Sequence, residues 1–389
     1  MTILIIILSV FVLYLIYEKV VLDRLRRSIP LVITVTGSRG KSSVVRMLAS
    51  ILRESGRRVL AKSTGSQAQF VLPDGTVESV PRRGMVSILE QKKALKKAMT
   101  LKADCLVVEI MSIRAENHFV ESQRILKPNI VVLTNVRRDH TEAMGERVED
   151  IARVLHIDFA DGAEVYVPQE SERYLDSKAF ETQSLHLNVV ERTEVLSPAD
   201  PKSAIPKNEF SENLDLVAAV ARGMNIDDAV IVRGIQNAIH DIGRFKIWSL
   251  QLNGKRVFAV NAFAANDPES TMKVLDKAHE ILAGKPQAYT GLLNLRADRP
   301  DRTMQWIDAL RSGMAKEFSQ LYVLGGHANV AKRKVNMTHL IASKSPDTVT
   351  RTLVEGMEED GVIFGFGNIG GAGERLVEYW QREGEEYGI

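Results

Sequence analysis

The feature that most restricts the fold is a glycine-rich loop enclosed between a strand-like and a helix-like segment. Residues 31–35 (LVITV) are apolar and β-branched, as buried parallel strands are, and residues 42–54 carry apolar side chains at helical spacing. The loop between them reads Thr-Gly-Ser-Arg-Gly-Lys-Ser-Ser over residues 36–43. A strand, a glycine turn and a helix in this order predict an α/β domain with a phosphate site at the helix N-terminus.

Each residue type in this loop suits a phosphate group. Glycine lets the backbone turn tightly and present its N–H groups, lysine supplies a mobile cation, and serine supplies a hydroxyl for Mg²⁺. Two residues rather than four separate the glycines, which is a shortened form of the commonest phosphate loop. An incidental glycine turn is the alternative interpretation. The candidate binding residues are Gly37, Ser38, Arg39, Gly40, Lys41, Ser42 and Ser43.

Polar residues also end or follow two other predicted strands. Residues 105–109 (CLVVE) end in Glu109, and residues 130–133 (IVVL) are followed by Thr-Asn-Val-Arg-Arg-Asp-His, which ends in His140. Strands alternating with helices imply a doubly wound sheet, in which the carboxyl ends of parallel strands face one ligand crevice. We therefore expect Glu109 near Ser42 at a Mg²⁺ site, with His140 as a second metal ligand. Taken alone, a strand-end carboxylate or a loop histidine is more often an ordinary surface residue.

The N-terminal segment is apolar enough to cross a membrane. Residues 2–17 carry no charge and would form a helix of roughly 24 Å, against a hydrocarbon core of about 30 Å. Arg24, Arg26 and Arg27 follow, and no Lys or Arg precedes the segment, so the positive-inside rule places the rest of the chain in the cytoplasm. We predict a single-pass cell-membrane anchor over residues 1–22. A cleaved signal peptide and a buried first helix are the alternatives.

Composition narrows the functional classes. Fifty-one Lys and Arg against 49 Asp and Glu leave a net charge of +2, too small for a protein that coats nucleic acid. Residues 1–27 carry that +2 by themselves, since four basic residues there face two acidic ones. The single cysteine, Cys105, excludes a disulfide framework and a cysteine-cluster zinc site. The chain is therefore expected to be a neutral globular body joined to a basic-flanked apolar helix.

A second α/β unit is predicted from residue 244 onward. Its strands are expected at residues 257–260, 288–292, 321–324 and 362–364, with helices between them. In the first half we also expect helices over residues 85–99 and 213–224, and a loop over residues 191–208, which contains three prolines. The predicted fold class is therefore α/β. Its parts are an anchor helix (1–22), a central ATP-binding domain (23–243) and a C-terminal Rossmann-like domain (244–389).

The motifs together resemble a known family. The G-x-x-G-K-[ST] loop, the strand-terminal Glu and T-N-V-x-x-D-H resemble the P-loop central ATPase domain of Mur ligases and folylpolyglutamate synthases. Over nearly the whole chain the sequence is similar to the ligase subunit of poly-γ-glutamate synthase (the CapB/PgsB type), including the N-terminal anchor. The resemblance implies that the chain uses ATP together with Mg²⁺ or Mn²⁺.

The resemblance also implies roles for single residues. Carried over by position, these are Lys41 for the ATP phosphates, Ser42 and Glu109 for Mg²⁺, His140 for a second divalent ion, and Asn135 and Asn213 for the adenine. One position departs from the family. Many Mur ligases have a lysine, modified to a carbamate that helps the metals, about fifteen residues after the histidine; Leu155 stands there in this chain and His156 follows. The carbamate therefore cannot be carried over to this chain.

The second domain carries further matches. Asp-Ile-Gly-Arg-Phe at residues 241–245 resembles the start of the Mur C-terminal domain, which implies that Arg244 stabilises charge on the transferring phosphate. Residues 261–267 resemble the poly-γ-glutamate subunit. Asn261 is accordingly a candidate for nucleotide binding, and Asn266 and Asp267 are candidates for substrate binding. The alternative for Arg244 is an ordinary residue of a domain junction.

Three arginines within residues 294–302 are candidates for binding the substrate. Arg296, Arg299 and Arg302 present planar donors that suit carboxylates, and this segment also resembles the poly-γ-glutamate subunit. A substrate with two carboxylates per residue would fit such a cluster. A loop held by salt bridges to Asp298 and Asp301 is the alternative.

We therefore expect an ATP-dependent acid–amino-acid ligase that forms the γ-glutamyl bonds of poly-γ-glutamate, a capsule polymer, through an acyl phosphate. Glutamate and the growing poly-γ-glutamate chain would be its substrates. One anchor helix cannot form a conduit for a polymer, so a multi-span membrane partner and an export factor are expected, and a homo-oligomer stays open. No nucleic-acid partner is expected. The alternatives are a membrane-tethered regulatory P-loop ATPase or kinase and a folate-type polyglutamylating ligase.

Overall fold

The computed structural model describes residues 2–65, 67–82, 86–175, 183–193, 205, 209–239, 241–285, 288–335, 338–343 and 345–388. The chain divides into two compact units. The first comprises Met1–Ile205 with Phe210–His240, and the second comprises Pro206–Glu209 with Asp241–Ile389.

The described residues of the first unit form an eight-stranded sheet. Its strands are β1 (Leu31–Thr36), β2 (Val59–Ser63), β3 (Gln69–Val71), β4 (Val77–Ser79), β5 (Cys105–Glu109), β6 (Ile130–Leu133), β7 (Glu164–Pro168) and β8 (His186–Val190). Their order across the sheet is β4-β3-β2-β5-β1-β6-β7-β8. The six strands from β2 to β8 in that order run parallel, while β3 and β4 add an antiparallel edge. The phosphate loop therefore leaves a central strand, with β5 on one side and β6 on the other.

Helices cover both faces of this sheet. They are α1 (Thr2–Arg27), α2 (Lys41–Glu54), α3 (Glu90–Thr100), α4 (Ala115–His118), a π-helical segment (Phe119–Leu126), α5 (Thr141–Met144), α6 (Val148–His156), α7 (Gln169–Glu172), α8 (Ser211–Gly223) and α9 (Asp228–Gln236). Alternate residues of β1 enter different cores. Ile33 and Val35 pack with α2, α8 and α9, whereas Val32 packs with α3 and the π-helical segment. This alternation is what a strand buried on both faces requires.

Helix α1 combines an exposed half with a packed half. Its residues up to Tyr17 are exposed to solvent, and it is the one helix among the described residues that is long and apolar enough to cross a membrane. Near its end, Leu22 and Leu25 pack against the core that contains Val32. The helix thus continues beyond the predicted anchor and contributes to the folded unit.

The second unit has a smaller sheet of the same kind. Its strands are β9 (Lys246–Leu252), β10 (Lys255–Asn261), β11 (Tyr289–Leu295), β12 (Gln320–Gly325), β13 (Thr338–Leu340), β14 (Gly361–Phe366) and β15 (Glu385–Tyr387), in the order β13-β12-β11-β14-β10-β9-β15. Strands β10 to β14 are parallel, and β9 pairs antiparallel with both β10 and β15. The helices are α10 (Pro268–Ile281), α11 (Pro300–Arg311), a 3₁₀ turn (Met314–Glu317), α12 (Ala328–Lys334), α13 (Pro346–Glu355) and α14 (Ala372–Glu383).

The predicted α/β class is confirmed, and the main parallel strands lie where they were expected. The helix predicted over residues 85–99 begins at Glu90, and Met85 lies outside the described residues. Most of the predicted loop over residues 191–208 also lies outside them; residues 191–193 have no regular structure. Several strands were not predicted, namely β2, β3, β4, β7, β8, β9, β13 and β15. The exact domain boundaries stay a prediction.

Candidate active site

The phosphate loop has a backbone conformation that requires glycine at two positions. Gly37 has φ +124° and Gly40 has φ +82°, both on the side of the φ range that L-residues rarely adopt. Space is limiting as well, because a Cβ on Gly37 would lie 2.3 Å from the Thr134 Oγ1 atom. A Cβ on Gly40 would lie 2.7 Å from the Asn213 Oδ1 atom. The loop therefore passes directly against the segment after β6 and the start of α8.

The segment after β6 fixes the shape of the loop through paired hydrogen bonds. The Ser38 N–H donates to the Asn135 carbonyl at 3.0 Å, and the Arg39 N–H donates to the Asn135 Oδ1 atom at 3.1 Å. The Asn135 Nδ2 group in turn donates to the Arg39 carbonyl at 3.0 Å. The Ser38 hydroxyl exchanges two hydrogen bonds of 2.9 Å with the backbone of Arg137. In this structure the Asn135 side chain thus holds the loop; its predicted contact with adenine stays a prediction.

Lys41, the first residue of α2, reaches back to the loop. Its Nζ atom donates to the Gly37 carbonyl at 2.6 Å and lies 3.4 Å from the Ser38 carbonyl. Asn213 borders the loop on the side of Gly40. Lys41 and Asn213, like Asn135, therefore lie at the loop. A phosphate group bound there would compete with two backbone carbonyls for the Lys41 ammonium group.

A hydroxyl and a carboxylate meet beside the loop. The Ser42 Oγ atom donates to the Glu109 Oε2 atom at 2.7 Å, and the Thr64 N–H donates to the same oxygen at 2.7 Å. Parallel pairing of β1 with β5 produces this arrangement, since Val35 is in register with Glu109. The structure thus brings together two residues that were predicted to bind Mg²⁺.

The donor set fits a Mg²⁺ ion that is shared with a phosphate group. Mg²⁺ is usually bound by one or two carboxylates, with water and substrate phosphate oxygens completing an octahedron. Glu109 and Ser42 would supply oxygen ligands next to the phosphate loop, as that arrangement needs. In the part of the chain that the structure describes, no three His, Cys, Asp or Glu side chains form a cluster able to hold a metal on their own.

His140 lies in a charged cluster that touches the loop. Its own φ is +47°, and its N–H donates to the Asp139 Oδ1 atom at 3.0 Å. The His140 Nδ1 atom is 3.5 Å from the Glu142 Oε1 atom, and the Asp139 carboxylate is 3.5 Å from the guanidinium of Arg39 in the loop. Asp139 therefore links the histidine to the loop. The role of His140 as a metal ligand stays a prediction.

A buried histidine–aspartate pair behind the loop was not predicted. The Asp158 carboxylate accepts hydrogen bonds from the Thr36 hydroxyl at 2.5 Å, the Ser122 hydroxyl at 2.7 Å and the His118 Nδ1 atom at 2.9 Å. His118 and Asp158 are 1% and 0% exposed. Burial by itself lowers the pKa of His118, but the attraction and hydrogen bond of Asp158 outweigh it, so the pKa is raised overall. Because Thr36 ends β1, this pair supports the strand from which the loop departs.

Leu155, at the position of the family's lysine, is an apolar core residue. It packs with β6, β7 and Phe159, whereas the Asp158 carboxylate, three residues further along the chain, is hydrogen-bonded to Thr36 at the end of β1. The only sequence signal for a buried carboxylate here was the place of Asp158 in a largely apolar run, Val-Leu-His-Ile-Asp-Phe-Ala at residues 154–160. A buried acidic residue of this kind is retained only where hydrogen bonds compensate it.

A second buried network lies behind Glu109. The Gln91 Nε2 group donates to the Glu109 carbonyl at 3.0 Å and to the Glu121 Oε1 atom at 2.6 Å. Glu121 also accepts hydrogen bonds from the backbone N–H groups of Met111 and Ser112, at 3.1 and 3.0 Å. Burial raises the pKa of Glu121. The network ties the start of α3 to the carboxyl end of β5.

In the second unit, Arg244 is buried and paired. Its guanidinium lies 2.8 Å from the Glu209 Oε1 atom, and the two side chains are 10% and 5% exposed. Burial lowers the pKa of Arg244 and raises the pKa of Glu209, against the attraction between them. The fully buried Asn261 donates through Nδ2 to the carbonyls of Ile242 and Arg244, at 3.0 and 2.9 Å. Asn261 therefore fixes the turn that carries Arg244, and the predicted roles of both residues stay predictions.

The predicted substrate residues lie on neighbouring loops of the second sheet. The Arg302 Nη1 atom donates to the Asn266 carbonyl at 2.5 Å, and Asp267 caps α10 by accepting from the Ser270 N–H at 2.8 Å. Arg296 forms two hydrogen bonds, of 2.8 and 2.6 Å, with the exposed Asp298 carboxylate. Arg299 directly precedes α11. The structure thus brings Asn266 and Arg302 together. It also pairs Arg296 with Asp298, which is the contact expected if this loop is held by salt bridges.

Comparisons with known proteins agree with this geometry. Residues 35–156 match the family model of the Mur ligase middle domain, and residues 247–383 match that of the poly-gamma-glutamate synthase CapB C-terminal domain. The bifunctional folylpolyglutamate synthase/dihydrofolate synthase of Yersinia pestis, solved with AMPPNP and a Mn ion, has a TM-score of 0.72 at 14% identity. That similarity covers 93% of this chain and 92% of the Yersinia chain. Fold and site therefore define an ATP-dependent ligase with the architecture of Mur ligases and folylpolyglutamate synthases.

Two curated relatives narrow the class further. The chain is 29% identical to PGA synthase CapB of Bacillus subtilis (strain 168), over 90% of each chain. It is 27% identical to the capsule biosynthesis protein CapB of Bacillus anthracis, over 96% of this chain and 81% of the relative. The predicted resemblance to the ligase subunit of poly-γ-glutamate synthase is confirmed, and the chain is an ATP-dependent ligase that is similar to CapB.

Proposed function

We propose that this chain makes the γ-glutamyl amide bonds of poly-γ-glutamate, and that it activates a glutamyl carboxylate with ATP. The observation that carries the proposal is the meeting of Ser42 and Glu109 at 2.7 Å beside the lysine of the phosphate loop. This arrangement of side chains is suited to phosphoryl transfer. The similarity to the CapB proteins indicates which polymer the transfer would help to make. Their similarity extends over most of both chains, so it covers both units.

The chemistry follows from the poor reactivity of carboxylates. A carboxylate at neutral pH does not accept an amine, so one of its oxygens first attacks the terminal phosphorus of ATP and ADP leaves. The resulting acyl phosphate has a carbonyl carbon that an amino group can attack. Phosphate then leaves with the former carboxylate oxygen, the amine loses a proton, and an amide remains. This order conserves every atom and explains why ATP is split to ADP and phosphate.

The residues of the first unit have separate tasks in this proposal. Lys41 and the backbone N–H groups of the loop neutralise and orient the ATP phosphates. Ser42 and Glu109 would hold Mg²⁺ or Mn²⁺, which supplies charge neutralisation on the transferring phosphoryl group. His140 would hold a second divalent ion. Asn135 and Asn213 border the loop and would contact the nucleotide from there.

The second unit supplies arginines for the reacting and bound carboxylates. Arg244 would stabilise negative charge as the phosphoryl group moves, and its pairing with Glu209 keeps it in one orientation meanwhile. Arg296, Arg299 and Arg302 would bind glutamyl carboxylates, whose planar shape matches the guanidinium group. Such a substrate would displace Asp298 from the exposed Arg296. The remaining candidates, Asn261, Asn266 and Asp267, would complete these contacts.

The cellular setting also belongs to the proposal. The apolar half of α1 would cross the cell membrane once, with both α/β units in the cytoplasm. A single helix encloses no pathway for a polymer. Export would therefore depend on a multi-span membrane partner and an export factor that act together with this ligase.

The proposal is tested by coupling between ATP splitting and glutamate. The full chain in detergent, with Mg²⁺, ATP and glutamate or a short γ-glutamyl acceptor, is expected to release phosphate and amide in equal amounts. Lys41→Ala should abolish both activities. The matched control, Lys273→Ala, changes an exposed lysine on α10 and should leave both unchanged. ATP splitting that is indifferent to glutamate would favour a regulatory ATPase, and dependence on a folate acceptor would favour a folate-type ligase.

A further inference from the structure

The end of α1 fixes the direction in which its apolar half leaves the first unit. Near its C-terminus, the Arg26 guanidinium donates to the Asn129 Oδ1 atom at 2.8 Å and to the Lys127 carbonyl at 2.9 Å. Asn129 directly precedes β6, and its N–H donates to the Val32 carbonyl of β1 at 2.8 Å. Arg26 therefore lies at the amino edge of the parallel strands.

The other end of the packed half lies at the opposite edge of the sheet. The Glu18 carboxylate accepts a hydrogen bond of 2.5 Å from the Lys92 Nζ atom. Lys92 follows Gln91, whose side chain donates to the carbonyl of Glu109, the last residue of β5. Glu18 therefore lies level with the carboxyl edge, to within about the reach of one lysine side chain.

The lengths of α1 and β1 agree with these positions of Glu18 and Arg26. From Glu18 to Arg26 a helix rises about 12 Å, and β1 covers about 16 Å from Leu31 to Thr36. Between these ends, Leu22 and Leu25 pack against the core on the sheet face, and Asp23 pairs with Lys127 at 2.7 Å. Residues 18–27 therefore run along the sheet from its carboxyl edge to its amino edge, antiparallel to β1.

The apolar half of α1 consequently projects beyond the carboxyl edge. Its residues are exposed as far as Tyr17, and only one residue step, about 1.5 Å, separates Tyr17 from Glu18. The carboxyl edge is also the edge that carries the phosphate loop and Glu109. No flexible linker intervenes, because the helix is continuous from Thr2 to Arg27.

Further apolar surface lies at the same level. Val86 and Leu89, which precede the first residue of α3 by four positions and by one, are 60% and 51% exposed, and Lys93 in the first turn of α3 is exposed too. Two apolar side chains with an adjacent lysine suit a headgroup layer, in which apolar groups reach the acyl chains and a cation meets lipid phosphate. The headgroup layer is about 6 Å deep on each side of the bilayer.

We infer that the first unit presents its catalytic edge, rather than its amino edge, to the bilayer that holds α1, with Val86, Leu89 and Lys93 in the headgroup layer. The inference rests on the proposed membrane anchor and deepens it. Transmembrane helices tilt by about 20° on average and seldom by more than 40°, so tilting cannot turn the opposite edge of the sheet to the membrane. The occupant of this surface is the anionic lipid layer itself. The nucleotide site would accordingly open towards the membrane rather than towards the bulk cytoplasm.

Fluorescent labels at the two ends of α3 test the orientation. The full chain carries a nitrobenzoxadiazole label at Leu89→Cys or at Thr100→Cys, in vesicles of phosphatidylcholine and phosphatidylglycerol that contain headgroup nitroxide lipids. Both positions are exposed, they lie about 16 Å apart on one helix, and the native Cys105 is buried. We expect the Leu89 label to lose its fluorescence to the nitroxide and the Thr100 label to keep it.

A third label separates this inference from the anchor on which it rests. A label at Val10→Cys should be quenched by nitroxides in the acyl chains. Two outcomes would refute the orientation and leave the anchor intact, both with the Val10 label quenched. In one, the Leu89 label is not quenched; in the other, the Thr100 label is quenched as strongly as the Leu89 label. An unquenched Val10 label would refute the anchor and the orientation together.

Discussion

Gly37→Ala tests whether the loop geometry is required for nucleotide binding. Gly37 lies where β1 passes into the phosphate loop, with φ +124°. A Cβ there would lie 2.3 Å from the Thr134 Oγ1 atom and 3.0 Å from the Asn135 carbonyl. The hydroxyl can rotate away, but the carbonyl belongs to the backbone that holds Ser38. The substitution must therefore distort the loop.

The magnitude follows from two contributions. A positive φ costs a residue with a Cβ about 1–2 kcal/mol, and overpacking against backbone typically adds about 1–3 kcal/mol. The sum is about 2–5 kcal/mol, and the loop can relieve it only by leaving the conformation that binds phosphate. Restoring that conformation on binding would then lower the affinity for a nucleotide about 30-fold or more, since 1.4 kcal/mol corresponds to a factor of ten.

Gly56→Ala is the matched control. Gly56 follows the other end of α2 with φ +88°, and a Cβ there would meet nothing within 4 Å. The substitution should destabilise the fold by about 1–2 kcal/mol without affecting the loop. Calorimetric titration with a non-hydrolysable ATP analogue and chemical unfolding of the full chain in detergent measure the two effects. Unchanged affinity in Gly37→Ala, or an equal loss of affinity in Gly56→Ala, would refute the reasoning.

Three further predictions concern single side chains. Glu109→Gln keeps the shape but removes the charge, so the Mg²⁺ concentration for half-maximal activity should rise about 10–100-fold; an unchanged requirement would exclude Glu109 as a ligand. The raised pKa of His118 means that its contribution to stability is complete below about pH 6.5 and is lost as the pH rises through the folded pKa. The free energy of unfolding should therefore fall more between about pH 6 and pH 9 in the native chain than in His118→Asn, and equal slopes would contradict the pairing with Asp158. Arg296→Gln should raise KM for the glutamyl acceptor and leave KM for ATP unchanged, whereas no change in either would leave Arg296 as a partner of Asp298 only.

The parts of the site that are close in sequence could be predicted. The loop, Lys41 and Ser42 form one strand–turn–helix unit, whose chemistry depends on local spacing. Glu109 could be added because it ends a parallel strand, and carboxyl ends of parallel strands share an edge. The hydrogen bond between Glu109 and Ser42 shows that the two side chains meet at this edge, as the topological argument expects, and their metal-binding role stays a prediction.

The pair of His118 and Asp158 could not be predicted in this way. The two residues are 40 positions apart, and each alone resembles an ordinary polar residue. Their burial depends on Thr36 and Ser122, which lie on other elements. Only the assembled sheet shows that three polar side chains converge on the Asp158 carboxylate in the core.

The extent of α1 was underestimated for a related reason. The anchor predicted over residues 1–22 includes Glu18 near its end and stops before Asp23, because charges are costly in a membrane. In the folded unit both carboxylates pair with lysines, Lys92 and Lys127, so the helix continues to Arg27. Those partners lie far along the chain and are invisible to any local pattern.

The most direct test of the central claim follows the oxygen atoms of glutamate. The full chain is supplied with Mg²⁺, ATP and glutamate whose carboxylates carry ¹⁸O, and the released phosphate is analysed by mass spectrometry. If an acyl phosphate forms, a labelled oxygen passes from the carboxylate to phosphate with each amide bond that is made. Phosphate that stays unlabelled while amide accumulates, or ATP cleaved to AMP, would contradict the account.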